Sequence, residues 1–170
     1  TGENGFEIIL DNDISQNFWK ILVENGATEC GLGARDVLRL EAALALHGNE
    51  ITEIINPFEA QLSRFIELDR ENYMINNTLN NIKSQELSKK LIGFEIQGRN
   101  IARSHNIIKD NNNIIGEVTS GTYSPTLNKS IGLGYISNKS LDINSEITIE
   151  IRSKNIPAKI TKIPFYKRSK

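Results

Sequence analysis

Apolar and polar positions in the first half of the chain follow helical spacing more often than strand spacing. Residues 13–24 carry apolar side chains at helical intervals and stop at an Asn-Gly pair, which predicts a helix. Residues 34–46 repeat this spacing with leucines and alanines, and Gly48 is the expected stop of a second helix. Residues 6–10 alternate and predict a short strand, and residues 62–68 predict another.

The pattern changes in the second half to short strands separated by turns. Residues 72–87 are polar and predict a helical or coiled connector, which is where we expect the domain boundary. Beyond it, the stretches with strand character are residues 91–96, 114–119, 147–151 and 156–163. Short strands at this spacing predict a small barrel or sandwich.

Composition narrows the classes of protein and of site. The 170 residues are 38% hydrophobic and carry a net charge of −1, so nothing favours nucleic acid or an anionic membrane as a partner. No apolar run approaches the roughly 20 residues that span a bilayer. Cys30 is the only cysteine, and His47 and His105 fall in different predicted domains. We therefore expect no disulfide, no metal site and no Ser-His-Asp arrangement.

Glu7 is a carboxylate within the apolar alternation of residues 6–10. If it is buried, it needs specific donors, because an unpaired buried carboxylate is strongly disfavoured. A carboxylate can accept two parallel hydrogen bonds from an amidine-like edge of a heterocycle. It can equally face solvent from a surface strand, and the pattern alone leaves both interpretations open.

Arg35 stands in the first turn of the predicted second helix, where a cation opposes the helix dipole. Arg39 lies one turn later on the same side and adds repulsion between like charges. A nearby anion would offset both effects. It could be a ligand, or a carboxylate such as Asp36 or Glu41.

Several sequence blocks follow one another in a fixed order. They are TGENGFEI at residues 1–8, GLGARDVLRLEA at 31–42, HGNEI at 47–51, NPFEA at 56–60, GEVTSGTYSPTL at 116–127 and IGLGYI at 131–136. In this order they resemble the motifs of the glycine cleavage T-protein family. The chain departs from the family pattern at His47, where the family has tyrosine, and in the asparagine-rich part of residues 67–88.

The resemblance implies an α+β fold that corresponds to the C-terminal half of a T-protein. Residues 1–85 would be the latter part of the central folate-binding domain, and residues 86–170 a C-terminal β-barrel or jelly-roll domain. The first block lacks the first two residues of the family motif, so we expect the family's first domain to lie outside this sequence. That domain carries the family's key acidic residue, and we therefore expect no catalytic residue here.

The resemblance also implies binding residues. Glu7 lies at the position of the family's pterin-contacting glutamate, and Arg35 at that of its folate-contacting arginine. Tyr166 is a weaker candidate for the same folate site, because the C-terminal ends of the family differ in length.

The activity implied is that of an aminomethyltransferase of the glycine cleavage system. It passes the methylene of an aminomethyl group, carried on the lipoylated H-protein, to tetrahydrofolate and releases ammonia. Tetrahydrofolate is a substrate, and no metal is implied. The expected compartment is the cytoplasm of a bacterium or the mitochondrial matrix of a eukaryote. Two alternatives are the folate module of a dimethylglycine or sarcosine demethylase and a folate-binding protein of iron–sulfur assembly.

Overall fold

The computed structural model describes residues 2–68, 74–137 and 140–168. Thr1, the first residue of the first block, lies outside these ranges, as do residues 72–73 at the start of the predicted connector. The helical elements are α1 Asn12–Glu24, α2 Leu32–Glu41, α3 Asn76–Ser84 and a single 3₁₀ turn, Ser63–Phe65. The strands are β1 Lys90–Ile96, β2 Ile107–Asp110, β3 Asn113–Ser124, β4 Lys129–Ile136, β5 Glu146–Ile151 and β6 Lys154–Thr161.

The six strands close into a barrel in the order β1-β4-β3-β2-β5-β6, and every neighbouring pair is antiparallel. The predicted α+β class and the predicted barrel are therefore confirmed. Inward-facing positions form the main core, with Ile92, Phe94, Ile96, Ile108, Val118, Ile136 and Ile149 among its buried members. Closure leaves no strand edge of the barrel unpaired.

Strand β4 was not predicted as a strand because two glycines interrupt its apolar pattern. In the barrel these glycines have a packing role. A Cβ at Gly132 would run into the ring of Phe94, and a Cβ at Gly134 would meet the side chain of Ile108 at 2.7 Å. Glycine therefore leaves the space that the large core side chains occupy.

The two predicted helices are present, but the second is shorter than predicted. α1 agrees with the prediction to within one residue at its start. α2 ends at Glu41 rather than at residue 46, because Ala43 adopts a left-handed φ of 52°. The N–H of Leu44 then donates to the carbonyl of Arg39 at 2.8 Å, which closes the helix end.

Both strands predicted in the first half were wrong. Residues 6–10 have no strand partner among the described residues, and Phe6 and Ile9 are almost fully exposed. Residues 62–68 contain the 3₁₀ turn Ser63–Phe65 instead of a strand. An alternating sequence pattern predicts only which side chains share a face of a strand. A strand also needs a neighbouring strand with which its backbone N–H and C=O groups can form hydrogen bonds. The connector, predicted as helical or coiled, contains helix α3.

Helix α2 is seated on the outer surface of the barrel, against β3 and β4. Leu40 is fully buried there in a second apolar cluster that also contains Leu91, Ile131, Leu133 and Tyr135. Side chains of a strand alternate between its two faces, so these outward residues of β4 alternate with its inward glycines. Among the described residues, no helix has the length and apolar character needed to cross a membrane.

Candidate functional site

A network of buried polar side chains fills the junction between α2 and the barrel. At its centre is Arg39, which is 5% exposed. Its Nε donates to Asp36 Oδ1 at 2.7 Å, one terminal nitrogen donates to Glu50 Oε2 at 3.2 Å, and the other donates to Ser120 Oγ at 3.0 Å. The planar guanidinium thus joins α2, the segment that follows it and strand β3.

Glu50 is fully buried and receives hydrogen bonds from three directions. Besides Arg39, the backbone N–H of Leu46 donates to Oε2 at 2.9 Å, and the hydroxyl of Thr119 donates to Oε1 at 2.5 Å. A buried carboxylate is tolerated when it is paired and hydrogen-bonded in this way. Glu50 therefore ties the segment after α2 to the barrel.

A second buried carboxylate, Glu41, anchors the C-terminal end of α2. The hydroxyl of Ser124 donates to Oε1 at 2.6 Å, and that of Thr126 donates to Oε2 at 3.0 Å. Ser124 also accepts the N–H of Leu127 at 3.0 Å, which fixes the turn after β3. Residues 124–127, the SPTL part of the fifth sequence block, therefore hold the C-terminal end of α2 through the hydroxyls of Ser124 and Thr126.

Tyr135 connects the apolar cluster to the network. Its hydroxyl donates to the carbonyl oxygen of Glu50 at 2.9 Å. Burial, together with the negative charges of Glu50 and Glu59, raises the pKa of Tyr135 well above its usual range. The phenol is therefore neutral and acts as a hydrogen-bond donor.

The three residues predicted to bind folate occupy a different environment from this network. Glu7, Arg35 and Tyr166 are all exposed. Within the part of the chain that the structure describes, the side chains of Glu7 and Arg35 have no hydrogen bond or ion pair. The ion pair considered for Arg35 is instead made by Arg39, with Asp36.

The segments that carry these three residues nevertheless meet at one end of α2. A Cβ at Gly2 would lie 2.6 Å from the Cβ of Ala42, which immediately follows the helix. Glu3 and Arg168 form an ion pair at 3.3 Å, and this ties the N-terminal segment to the C-terminal tail. The N–H of Tyr166 donates to the carbonyl of Glu41 at 2.9 Å.

These contacts join the segments rather than the three side chains themselves. Arg35 precedes Glu41 by six positions, which is about 9 Å along a helix axis. Glu7 follows Glu3 by four positions, and Tyr166 precedes Arg168 by two. One end of α2 thus has the N-terminal segment and the tail beside it.

A separate cleft of about 470 Å³ lies between residues 48–55 and the barrel wall. Its lining includes Lys89, His105, Glu117 and Tyr135 and none of the three predicted residues. In residues 2–68, 74–137 and 140–168 there is no group of three or more His, Cys, Asp or Glu side chains arranged to hold a metal ion.

Sequence reasoning named Arg39 only as a source of repulsion and did not name Glu50, Ser120 or Thr119 as partners. No local signal marked Arg39 as buried, because its neighbours Leu38 and Leu40 lie on other faces of the helix. The partners themselves lie 11 and 81 positions away along the chain, which spacing cannot reveal.

Two family models match the chain. One, the glycine cleavage T-protein C-terminal barrel domain, matches residues 89–167, and the other, the GCVT N-terminal domain, matches residues 1–70. The chain belongs to the glycine cleavage T-protein family. The resemblance inferred from the ordered sequence blocks is confirmed by these matches.

Individual T-protein relatives agree with the two models. An aminomethyltransferase of Prochlorococcus marinus is 42% identical over 169 residues, covering 99% of this chain and 45% of the relative. One of Bacillus mycoides is 45% identical over 175 residues, covering 100% of this chain and 48% of the relative. The chain thus spans about half the length of these curated relatives. Their names do not favour the demethylase alternative.

A solved T-protein structure supports the same assignment at the level of the fold. The glycine cleavage system aminomethyltransferase T from Bartonella henselae superposes with a TM-score of 0.83 at 28% sequence identity. The match covers 91% of this chain and 44% of that one.

Proposed function

We propose that this sequence is part of a tetrahydrofolate-dependent aminomethyltransferase of the glycine cleavage system. The enzyme would receive an aminomethyl group on the lipoyl arm of H-protein, pass its methylene to tetrahydrofolate and release ammonia. Tetrahydrofolate is the substrate, H-protein is the partner, and the proposal includes no metal, nucleic acid or membrane. The reaction is placed in the bacterial cytoplasm, or in the mitochondrial matrix of a eukaryote.

One observation carries this proposal. The three segments that bear Glu7, Arg35 and Tyr166 are held together at the C-terminal end of α2, by the Glu3–Arg168 ion pair and the backbone contact between Tyr166 and Glu41. Three segments that are distant in sequence would thereby present their exposed polar groups to one ligand. The match to relatives named aminomethyltransferase makes a folate the expected ligand.

Each residue has a chemical role in the proposal. The exposed carboxylate of Glu7 can accept two parallel hydrogen bonds from N3 and the 2-amino group of the pterin. The guanidinium of Arg35 has its donors free within the described structure and can bind the negatively charged part of folate. Tyr166, whose backbone is bound to the C-terminal end of α2, would add an exposed aromatic surface. None of the three transfers a proton in this scheme, and catalysis is assigned to no residue of this sequence.

We also propose that the domain boundary lies near residue 85, in the turn between α3 and β1. Residues 1–85 would then supply the folate wall, and residues 86–170 the barrel on which that wall is mounted. α3 ends at Ser84 and β1 begins at Lys90, which leaves a short linker of five residues, three of them exposed.

The experiment is a tetrahydrofolate titration of the full-length protein that contains this sequence, with and without Glu7→Gln. Removing the negative acceptor should raise the dissociation constant by about tenfold or more, because charge-assisted hydrogen bonds are the strong ones. Glu146→Gln is the matched control, since Glu146 is also an exposed glutamate but lies on β5. An unchanged affinity in Glu7→Gln would refute the assignment of Glu7.

A further inference from the structure

We propose that the buried contact of Arg39 with Ser120 and Glu50 positions Arg35 for folate, so that the barrel sets folate affinity without touching folate. This inference rests on the proposed function, because it assumes that Arg35 binds the ligand. It adds Arg39, Glu50, Ser120 and Thr119 as positioning residues for that site.

Both arginines belong to α2 and lie one turn apart on it. Arg35 is exposed at the start of the helix, whereas Arg39 is buried near its end. The separation of four residues is about 6 Å along the axis. A helix this short behaves as one rigid piece, so a restraint on the orientation of Arg39 is also a restraint on the position of Arg35.

The restraint that Arg39 provides is directional. Its guanidinium reaches Asp36 within α2, Glu50 in the next segment and Ser120 on the barrel, at 2.7, 3.2 and 3.0 Å. A planar fork with fixed donor directions satisfies these acceptors in one orientation only. The apolar contact of Leu40 beside it has no such directionality, and it would tolerate a small rotation or sliding of the helix.

The barrel supplies its half of the contact through an irregularity in β3. Val118 pairs with Gly134 and Ser120 pairs with Leu133, so the register shifts and Thr119 has no opposite residue. In a regular strand, Thr119 and Ser120 would point to opposite faces. At this bulge both hydroxyls reach the α2 side, Thr119 to Glu50 at 2.5 Å and Ser120 to Arg39 at 3.0 Å.

Asn49 strengthens the same contact from the segment that carries Glu50. Its side-chain amide donates to the carbonyl of Thr119 at 3.0 Å and to Ser120 Oγ at 3.2 Å. Ser120 therefore lies between Arg39 and Asn49 and holds both sides of the turn after α2. Small displacements of a ligand-binding group can cost a large factor in affinity or rate, so such a lock has a functional consequence.

The experiment uses the full-length protein and changes only the barrel side of the contact. Ser120→Ala removes the hydroxyl that Arg39 binds, and Thr119→Val removes the donor to Glu50 while nearly keeping the shape of the side chain. Each variant is made in the parent and in an Arg35→Ala background, and the dissociation constant for tetrahydrofolate is measured for all. Circular dichroism at the assay temperature confirms that each variant is folded.

The matched control is Ser130→Ala. Ser130 is also a buried serine of the barrel, but its hydroxyl has no hydrogen-bond partner in the described part of the chain. This substitution should leave the folate affinity unchanged.

The expected result is a dissociation constant raised about threefold to tenfold by Ser120→Ala and by Thr119→Val in the parent. In the Arg35→Ala background neither substitution should have a further effect, because the group that they position is gone. A merely structural role would lower the melting temperature in both backgrounds and leave the affinity of folded protein unchanged.

Two outcomes separate the inference from the proposed function. If Arg35→Ala weakens binding but the barrel substitutions have no effect, or act equally in both backgrounds, the positioning role is overturned. If Arg35→Ala itself leaves folate affinity unchanged, the assignment of Arg35 to the site fails, and the positioning role fails with it.

Discussion

The barrel and the region before it, residues 2–68, are stabilised by different chemistry. In the described part of residues 86–170, buried side chains are mostly isoleucine and other apolar residues, and the buried polar ones are hydroxyls. In residues 2–68 the buried set comprises two apolar and four charged side chains. These are Leu40, Ala60, Arg39, Glu41, Glu50 and Glu59. Helix α1 has no buried residue at all.

This difference indicates a one-sided dependence, in which the stability of residues 2–68 depends on the barrel more than the stability of the barrel depends on them. Apolar burial stabilises a closed barrel irrespective of what lies outside it. Buried charges are stable only while their partners are in place, and several partners of Arg39, Glu41 and Glu50 are hydroxyls of the barrel. The region before the barrel thus depends on the barrel for its buried charges, whereas the inward-facing core of the barrel is buried by the barrel's own residues.

The largest predicted effect comes from the barrel core. Phe94→Ala should lower the free energy of unfolding by about 3–5 kcal/mol, because a fully buried phenylalanine leaves a cavity when truncated. Urea unfolding can be followed by amide hydrogen exchange, which is read separately on the strands of the barrel and on helix α2. Both transitions should move to lower urea together.

Ile14→Ala is the matched control for this prediction. Ile14 is an apolar side chain of α1 that is 53% exposed, and its truncation should change the free energy of unfolding by less than about 1 kcal/mol. Comparable losses in the two variants would contradict the proposed difference between the regions.

A smaller effect, which should differ between the two regions, is expected at the junction between α2 and the barrel. Glu50→Ala leaves Arg39 buried without one of its carboxylates and should cost about 3 kcal/mol. Asp36 remains as a second partner of Arg39, which limits the loss. The transition measured on α2 should move to lower urea, while the transition measured on the barrel strands moves little.

Glu3→Gln is the comparison for the buried pair. Its ion pair with Arg168 is exposed, and such pairs contribute about 0–1 kcal/mol. If Glu50→Ala shifts both transitions equally, the two regions unfold as one unit and the one-sided dependence is wrong.

The smallest effect concerns pH. Burial raises the pKa of Tyr135, so the folded state holds this proton more tightly than the unfolded state does. The stabilisation is fully present below the ordinary tyrosine pKa of about 10 and is lost as the pH rises from there toward the raised value. The melting temperature should therefore fall above about pH 10, and less steeply in Tyr135→Phe.

At neutral pH, Tyr135→Phe should cost about 1 kcal/mol through the hydrogen bond to Glu50. Tyr123→Phe, on the same barrel, serves as the control and should keep the alkaline loss of the parent. Identical alkaline profiles for the parent and Tyr135→Phe would exclude Tyr135 as its source.

The sequence predicted most of the barrel because alternation and turn residues are local signals. The predicted strands 147–151 and 156–163 are an example, since they correspond to β5 and β6, and Arg152 and Ser153 form the turn between them with left-handed φ values. Strand β4 was missed because Gly132 and Gly134 lower the strand signal for reasons that lie on other strands, in the ring of Phe94 on β1 and the side chain of Ile108 on β2. Residues 6–10 show the converse, an alternating pattern that has no neighbouring strand.

The residues of the candidate site differ in the same way, because some have a local signal in the sequence and others do not. Glu7 and Arg35 could be singled out because a charge in an apolar strand pattern, or at the wrong end of a helix, contradicts a local rule. Arg39 breaks no such rule, and its partner Ser120 is 81 positions away. The residues proposed to face a ligand could thus be named from the sequence, whereas the residues proposed to position Arg35 required the fold.

The bulge at Thr119 has a further consequence for exchanging parts between proteins. Because two neighbouring hydroxyls must point the same way, the barrel accepts its helix only at that step of β3 and in that register. A six-stranded barrel of equal size and equal core, but with a regular third strand, would offer one hydroxyl where two are required. Whether the helix of one protein packs on the barrel of another should therefore depend on the extra residue of this bulge, even when the two barrel cores are similar.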